Sequence, residues 1–247
     1  MDKNFRPVNA PGARSAGVLL HISSLPGRYG IGSLGREAYA FVDFLREAGV
    51  RYWQVLPLAQ TGFGDSPYQS VSCNSGNPYF IDPETLFSRG LLTENELKQA
   101  SMPKKSVDYA KLYHKRYPLL RKAFSRFDKT DAAFCTFVEQ GEFRAYAEVM
   151  PAKKKFGGRS FAEWDEKFKF NDRKTVEGYI AGNREEYLFW QWLQFEFFRE
   201  WHALKDYANA RGVYLIGDIP LYVAYDSADV WSRPELFKLD KNRAMTE

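Results

Sequence analysis

The chain predicts an α/β fold of parallel strand-helix-strand units with a mainly helical insertion after the second strand. Three observations carry this reading. An apolar run, an amphipathic helix and a second apolar run follow one another near the amino end, and a long stretch without comparable strand character comes next. A long helix then leads straight into a third apolar run. With 45% hydrophobic and 17% aromatic residues, the chain has enough apolar material to bury a sizeable core.

The first run, Ala16 to His21, follows a Pro- and Gly-rich leader and precedes a loop containing Ser23, Ser24, Pro26, Gly27, Gly30 and Gly32, which reads as a buried strand ending in a loop. Ala38, Phe41, Leu45 and Ala48 then recur at helical spacing, with Gly49 placed to end the helix. Tyr52 to Leu58 is the second strand, and Pro57 stands where ladder pairing should stop. A helix between two apolar runs suits a parallel crossover.

From Gln60 to about Arg184 the pattern changes to a Gly-, Ser- and Pro-rich loop followed by helical segments. Thr93-Glu94-Asn95-Glu96 predicts a capping box, in which Thr93 satisfies an early amide and Glu96 reaches back to the cap. Further helices are expected over Asp108 to Phe127 and Asp131 to Val149, with Pro118 bending or dividing the first. The next helix carries Trp190, Leu193, Phe197, Trp201, Leu204 and Ala208 on one flank and Leu188, Trp192 and Phe195 on the other, so it must be covered on two sides. Gly212 ends it, and Val213 to Pro220 is the third strand. The expected division is therefore 1–59 for the first units, 60–184 for the insertion and 185–247 for the third unit and its loop.

Composition narrows the partners. Net charge is +4, from 35 Lys and Arg against 31 Asp and Glu, without one long basic block, which speaks against nucleic acid. Lys104-Lys105 and Lys153-Lys154-Lys155 read as solvated faces. No 18-residue apolar run and no secretory leader are present, so a cytoplasmic protein away from membranes is expected. Cys73 and Cys135 sit in no metal-ligand spacing and read as two free thiols.

Such units build either an open doubly wound sheet or an eight-stranded barrel, and in both the site gathers in the loops past the carboxyl ends of the strands. No Gly-x-Gly-x-x-Gly and no phosphate loop follows any strand, which weakens a nucleotide site. The loop Thr61 to Ser70 follows the second strand, and its Tyr68 offers an aromatic face for the apolar side of a sugar ring together with a hydroxyl. The same composition suits a plain turn with Tyr68 as packing. Asp218 stands directly after the third strand. It reads equally as a ligand-facing carboxylate or as an acid capping the next turn. His21 is similarly open between a hydrogen-bonded structural residue and a site residue.

Six segments occur in this order: Leu20-His21-Ile22-Ser23-Ser24-Leu25-Pro26, Gln54-Val55-Leu56-Pro57-Leu58, Gly64-Asp65-Ser66-Pro67-Tyr68-Gln69-Ser70, Gly76-Asn77-Pro78-Tyr79, Gly217-Asp218-Ile219-Pro220 and Asp226-Ser227-Ala228-Asp229-Val230-Trp231. Together they resemble the 4-α-glucanotransferases, also called amylomaltases or disproportionating enzymes, of glycoside hydrolase family 77. The resemblance runs from about Arg14 to the end of the chain. It implies a (β/α)8 TIM-type barrel with helical subdomains between strands, of which this chain would hold an incomplete part with about three strands. It further implies no metal or other cofactor, and transfer of 1,4-α-glucan segments to the 4-hydroxyl of another glucan, a malto-oligosaccharide or glucose. By the same resemblance Ser66 and Tyr68 line the subsites around the cleaved bond, Asp218 holds a sugar ring there, and Phe63 and Trp231 add nearby aromatic surface.

A retaining glycosidic mechanism needs two carboxyl groups about 5 to 5.5 Å apart. The family nucleophile lies in an Arg-x-Asp-His stretch, and this sequence contains none. The resemblance puts the catalytic carboxylates beyond Glu247, so no catalytic residue is assigned. The chain is expected to be a fragment or a prematurely ended reading frame, aggregation-prone through its open strand edges and inactive alone. The alternative is a glucan-binding protein without turnover.

Overall fold

The computed structural model describes residues 14–62, 64–102, 106–220 and 222–246. Strand β1 (Gly17–Leu19) is followed by helix α1 (Arg36–Glu47) and strand β2 (Tyr52–Gln54). The stretch between β2 and the next long helix contributes α2 (Pro83–Ser88), α3 (Glu94–Ala100), α4 (Tyr109–Arg126), α5 (Ala132–Gln140), α6 (Arg144–Lys155), α7 (Glu166–Lys169) and α8 (Arg173–Gly182). Helix α9 (Arg184–Ala210), strand β3 (Tyr214–Ile216) and the short α10 (Ala228–Ser232) follow.

The three strands form one parallel sheet in the order β1-β2-β3, in a register that aligns Val18, Trp53 and Leu215. Two identical turns feed it. After α1, Gly49 turns left-handed at φ 71, its N–H donates to the Arg46 carbonyl at 3.1 Å, and Val50 N–H donates to the Leu45 carbonyl at 2.9 Å. After α9, Gly212 at φ 74 repeats the pattern, with Gly212 to Asn209 and Val213 to Ala208 both at 3.0 Å. These are Schellman motifs, in which a glycine lacking Cβ strain satisfies the last helical carbonyls and sends the chain back into the sheet. The ladder covers only three residues of each predicted run, extended by Leu20 N–H to the Gln54 carbonyl and Val55 N–H to the Ile216 carbonyl. Trp53 centres the core: it is fully buried, meets Phe41 edge to face, and donates Nε1–H to the Leu20 carbonyl at 2.7 Å.

Helix α9 is covered on two sides, as its pattern requires. Its carboxyl end meets α1 through Tyr207 and Arg211, which both donate to Asp43. Toward α4, α5 and α6, Trp190 meets Tyr117 and Tyr146, Trp192 meets Phe124, and Phe195 meets Phe127, Phe134 and Phe137.

Two helix expectations are corrected. Helix α4 runs unbroken through Pro118. Both Pro118 and His114, whose carbonyl loses its partner, face solvent, where water can take the lost bond, while Leu112, Leu119 and Leu120 hold the other face in the core. The single helix expected over 131–149 is instead two, because Gly141 adopts φ 71 and caps α5. The Thr93 capping box is present: Glu96 N–H donates to Thr93 Oγ1 at 3.3 Å and Thr93 N–H donates to Glu96 Oε2 at 2.9 Å.

Among the described residues, the outer edges of β1 and β3 pair with no further strand, and Leu19 and Ile216 are exposed there.

Candidate functional site

The loop after β2 folds back on itself. Ala59 bridges Gly76, Thr61 bridges Ser70 in antiparallel fashion, and Gly62 N–H donates to the Gln69 carbonyl at 2.8 Å. The turn at its tip is left-handed, with Gly64 at φ 100 and Asp65 at φ 58. Tyr68 lies on the returning limb. Its N–H donates to Ser66 Oγ at 3.3 Å, so Ser66 shapes the turn that directs the Tyr68 ring. Phe63 lies outside the described residues.

The loop after β3 starts with Gly217 and the half-buried Asp218. Here the two loops meet: the Tyr68 phenol donates to Asp218 Oδ2 at 2.7 Å. Hydrogen bonding to the Asp218 carboxylate raises the Tyr68 phenol above its ordinary pKa, with burial a smaller contribution, because an anionic acceptor disfavours a second negative charge beside it. Tyr68 is therefore a protonated donor at neutral pH, and 43% of its surface stays open. An aromatic face, a hydroxyl and a carboxylate thus share one surface, a combination that can stack on a sugar ring and bond its hydroxyls.

The segment from Asp226 to Trp231 has a different position. Trp231 is 1% exposed, packs on Trp164 and donates Nε1–H to the Phe168 carbonyl at 2.7 Å, which corrects the expectation of aromatic surface at this residue. Asp226 accepts from the Phe161 N–H at 3.1 Å and pairs with Lys153. The Lys153 side chain is only 15% exposed, so it is not a solvated face, unlike Lys154 at 68%. Lys155 lies near the Phe156, Phe168 and Tyr179 rings, and Lys104 and Lys105 are outside the described residues.

His21 is buried at the end of β1, meets Phe80 edge to face and leaves Nδ1 unpartnered. Burial lowers its pKa to about 4, so the imidazole is neutral at pH 7. The Gly76 segment braces the loop base. Gln194 on α9 accepts from the Gly76 N–H at 2.7 Å and donates to its carbonyl at 3.1 Å, while Asn77 Oδ1 accepts from the Tyr79 N–H. Among the described residues no cluster of three or more His, Cys, Asp or Glu could hold a metal ion, and no helix is long and apolar enough to cross a membrane.

Comparison with known proteins places these loops in a lineage. A family model described as 4-alpha-glucanotransferase matches residues 20–245. The chain belongs to the 4-alpha-glucanotransferase family. It is 44% identical over 227 residues to the 4-alpha-glucanotransferase of Clostridium butyricum, covering 90% of this chain and 47% of that protein. Against the Thermus thermophilus 4-alpha-glucanotransferase it is 44% identical over 235 residues, covering 92% and 46%. Among solved structures, an amylomaltase from Streptococcus agalactiae in complex with acarbose superposes at a TM-score of 0.88 with 41% identity, covering 94% of this chain and 48% of that one. The chain thus spans about half the length of the curated relatives it matches.

Within this family frame, sequence reasoning passed over Cys73 and the partner of Asp229. Cys73 N–H donates to Asp229 Oδ2 and its thiol to Asp229 Oδ1, both at 3.0 Å. Burial first, then the bond to Asp229, pushes the Cys73 thiol up to about 12, so it stays protonated. Both cysteines are free. The only sequence signal was that Asp229 falls within the Asp226–Trp231 segment; nothing pointed to Cys73.

Proposed function

We propose that this chain carries glucan contacts of a 4-α-glucanotransferase, an activity that moves 1,4-α-glucan segments onto the 4-hydroxyl of another glucan or of glucose by a retaining mechanism. The observation that carries this reading is the Tyr68 to Asp218 hydrogen bond, which joins a sugar-stacking surface to a hydroxyl acceptor at the carboxyl ends of neighbouring parallel strands.

In this reading Tyr68 lays its ring against the apolar face of a glucose unit. Asp218 accepts from sugar hydroxyls with the lone pairs that Tyr68 leaves, and Ser66 borders the same subsite. Trp231 acts from beneath, by anchoring α10 rather than by touching sugar. The bond from Tyr68 fixes the carboxylate before substrate arrives, which lowers the ordering cost of binding. The sheet is read as three neighbouring strands of a (β/α)8 barrel, with 1–59 and 185–247 as barrel and 60–184 as insertion. The consecutive strand order and the helix preceding β2 and β3 support it. Malto-oligosaccharides and glucose are the proposed partners, in the cytoplasm, with neither nucleic acid nor membrane taking part.

The decisive experiment incubates the purified chain with maltotriose. Glucose together with longer maltodextrins marks transfer by these residues. Binding without products marks the second reading, a glucan-binding chain without turnover, which the absence of an Arg-x-Asp-His stretch favours for these 247 residues taken alone. Neither binding nor products overturns both.

A further inference from the structure

We propose that Asp229 is a positioning residue for the Tyr68 and Asp218 pair, acting through Cys73 to hold the loop after β2 against the segment after β3. Its functional meaning rests on the glucan reading above; its structural basis does not.

Both carboxylate oxygens of Asp229 are given to one residue: Oδ2 accepts from the Cys73 N–H and Oδ1 from the Cys73 thiol, each at 3.0 Å. Beside them the Ala228 N–H donates to the Val71 carbonyl at 2.7 Å. These bonds seize the chain just past Ser70, where the bridge to Thr61 closes the Tyr68 loop. Asp229 is itself held firmly. Ser227 Oγ caps α10 by accepting from the Val230 N–H, Trp231 is locked under Phe168, and Asp226 binds the Phe161 N–H and Lys153. A continuous set of contacts therefore runs from the insertion through α10 and Cys73 to the base of the Tyr68 loop.

Tyr68 needs such a base. Its ring is 43% exposed and the loop tip is a left-handed turn, so little packing at the tip restrains it. A side chain so placed keeps its partner only where the loop root is rigid, and supporting hydrogen bonds behind a site are what hold it in binding geometry. Asp229 and Cys73 are the charged and thiol groups at that root, and both are half-buried.

The test follows the Tyr68 ring directly, by NMR of the full chain isotope-labelled at tyrosine Cζ. Tyr68→Phe identifies the Tyr68 signal, and Asp218→Asn marks where it moves when the charged acceptor is lost. Asp229→Ala is expected to carry the signal toward that second position and to weaken maltoheptaose binding at least about threefold. Cys73→Ser, which keeps a donor for Asp229, is expected to leave the signal in place. A folded Asp229→Ala chain whose Tyr68 signal remains at the wild-type position overturns the proposal. Should that variant not fold, Asp229→Asn, which keeps one acceptor for the Cys73 N–H, is read the same way with a smaller displacement. A displaced signal with maltoheptaose affinity unchanged in both Asp229→Ala and Tyr68→Ala leaves the positioning intact and removes the glucan reading instead.

Discussion

Tyr68 and Asp218, 150 residues apart in the chain, meet in a hydrogen bond of 2.7 Å from phenol to carboxylate. The contact joins the loops after β2 and β3, neighbouring strands of one parallel sheet, and sets an aromatic face beside an anionic acceptor. In the proposed glucan site, its worth would divide into a stacking part from the ring and an ordering part from the hydroxyl.

Those parts separate by mutation. Tyr68→Ala removes both, and a platform contributing about 1.4 kcal/mol corresponds to a tenfold loss of glucan affinity, or of transfer in a complete enzyme. Tyr68→Phe keeps the ring and is expected to lose less. Titration calorimetry with maltoheptaose measures both, and an affinity unchanged in Tyr68→Ala returns the residue to a packing role.

Gly76 offers a stability prediction. A Cβ built there would lie 1.9 Å from the ring of the buried Phe197, far inside any real contact distance. Gly76→Ala is expected to cost about 1 to 3 kcal/mol or more through overpacking. Its backbone is also held by Gln194 and cannot slide away freely. Chemical denaturation measures the loss. Adding Phe197→Leu should recover part of it, and no recovery would mean the strain lies elsewhere.

On the alkaline side, Glu200 is decisive. Burial first, then the nearby Asp82 charge, raises its pKa well above the ordinary carboxylate value, while Oε2 accepts from the Asp82 N–H at 2.8 Å and Oε1 has no partner. The folded state therefore holds this proton more tightly than the unfolded chain. The contribution is fully present below the ordinary carboxylate value of about 4.5 and drains away as pH rises toward the folded value. Glu200→Gln keeps an acceptor and carries no charge. Its melting temperature is expected to exceed that of the wild type at pH 8, with the gap closing near pH 4.5. Parallel melting curves across that range would contradict the assignment.

On the acid side the sign reverses. The Glu96 carboxylate receives two bonds from Arg126, at 2.8 and 2.9 Å, and these chiefly lower its pKa to about 2. Its contribution is present above the ordinary carboxylate range and is lost as pH falls through the folded value near 2. Glu96→Gln should flatten the loss of stability with acid below pH 4.5. Thr93→Ala, which removes the other half of the capping box, should cost about 1 kcal/mol near pH 6. Thermal melts from pH 2 to pH 6 check both.

Much of the frame was legible in the residues. The helix patterns around Phe41 and Trp190 and the glycines after each helix located α1, α9 and the turns into β2 and β3, because periodicity and left-handed caps are local properties of the chain. Pro118 misled, since a proline's cost in a helix depends on whether the carbonyl it orphans faces water, and only packing decides that. Lys153 misled for a related reason: its carboxylate partner lies 73 residues away.

By itself the sequence determined the order β1, α1, β2, α9, β3, the capping box at Thr93 and, through six ordered segments, the glucanotransferase family. Tertiary structure alone decided which side chains meet: Tyr68 with Asp218, Cys73 with Asp229, Asp226 with Lys153, and Trp231 turned inward instead of outward. The physical reason is one of range. Backbone preference and hydrophobic period act over a few residues, whereas these contacts arise only after the strands pair in register and α9 packs between α1 and the helices α4 to α6.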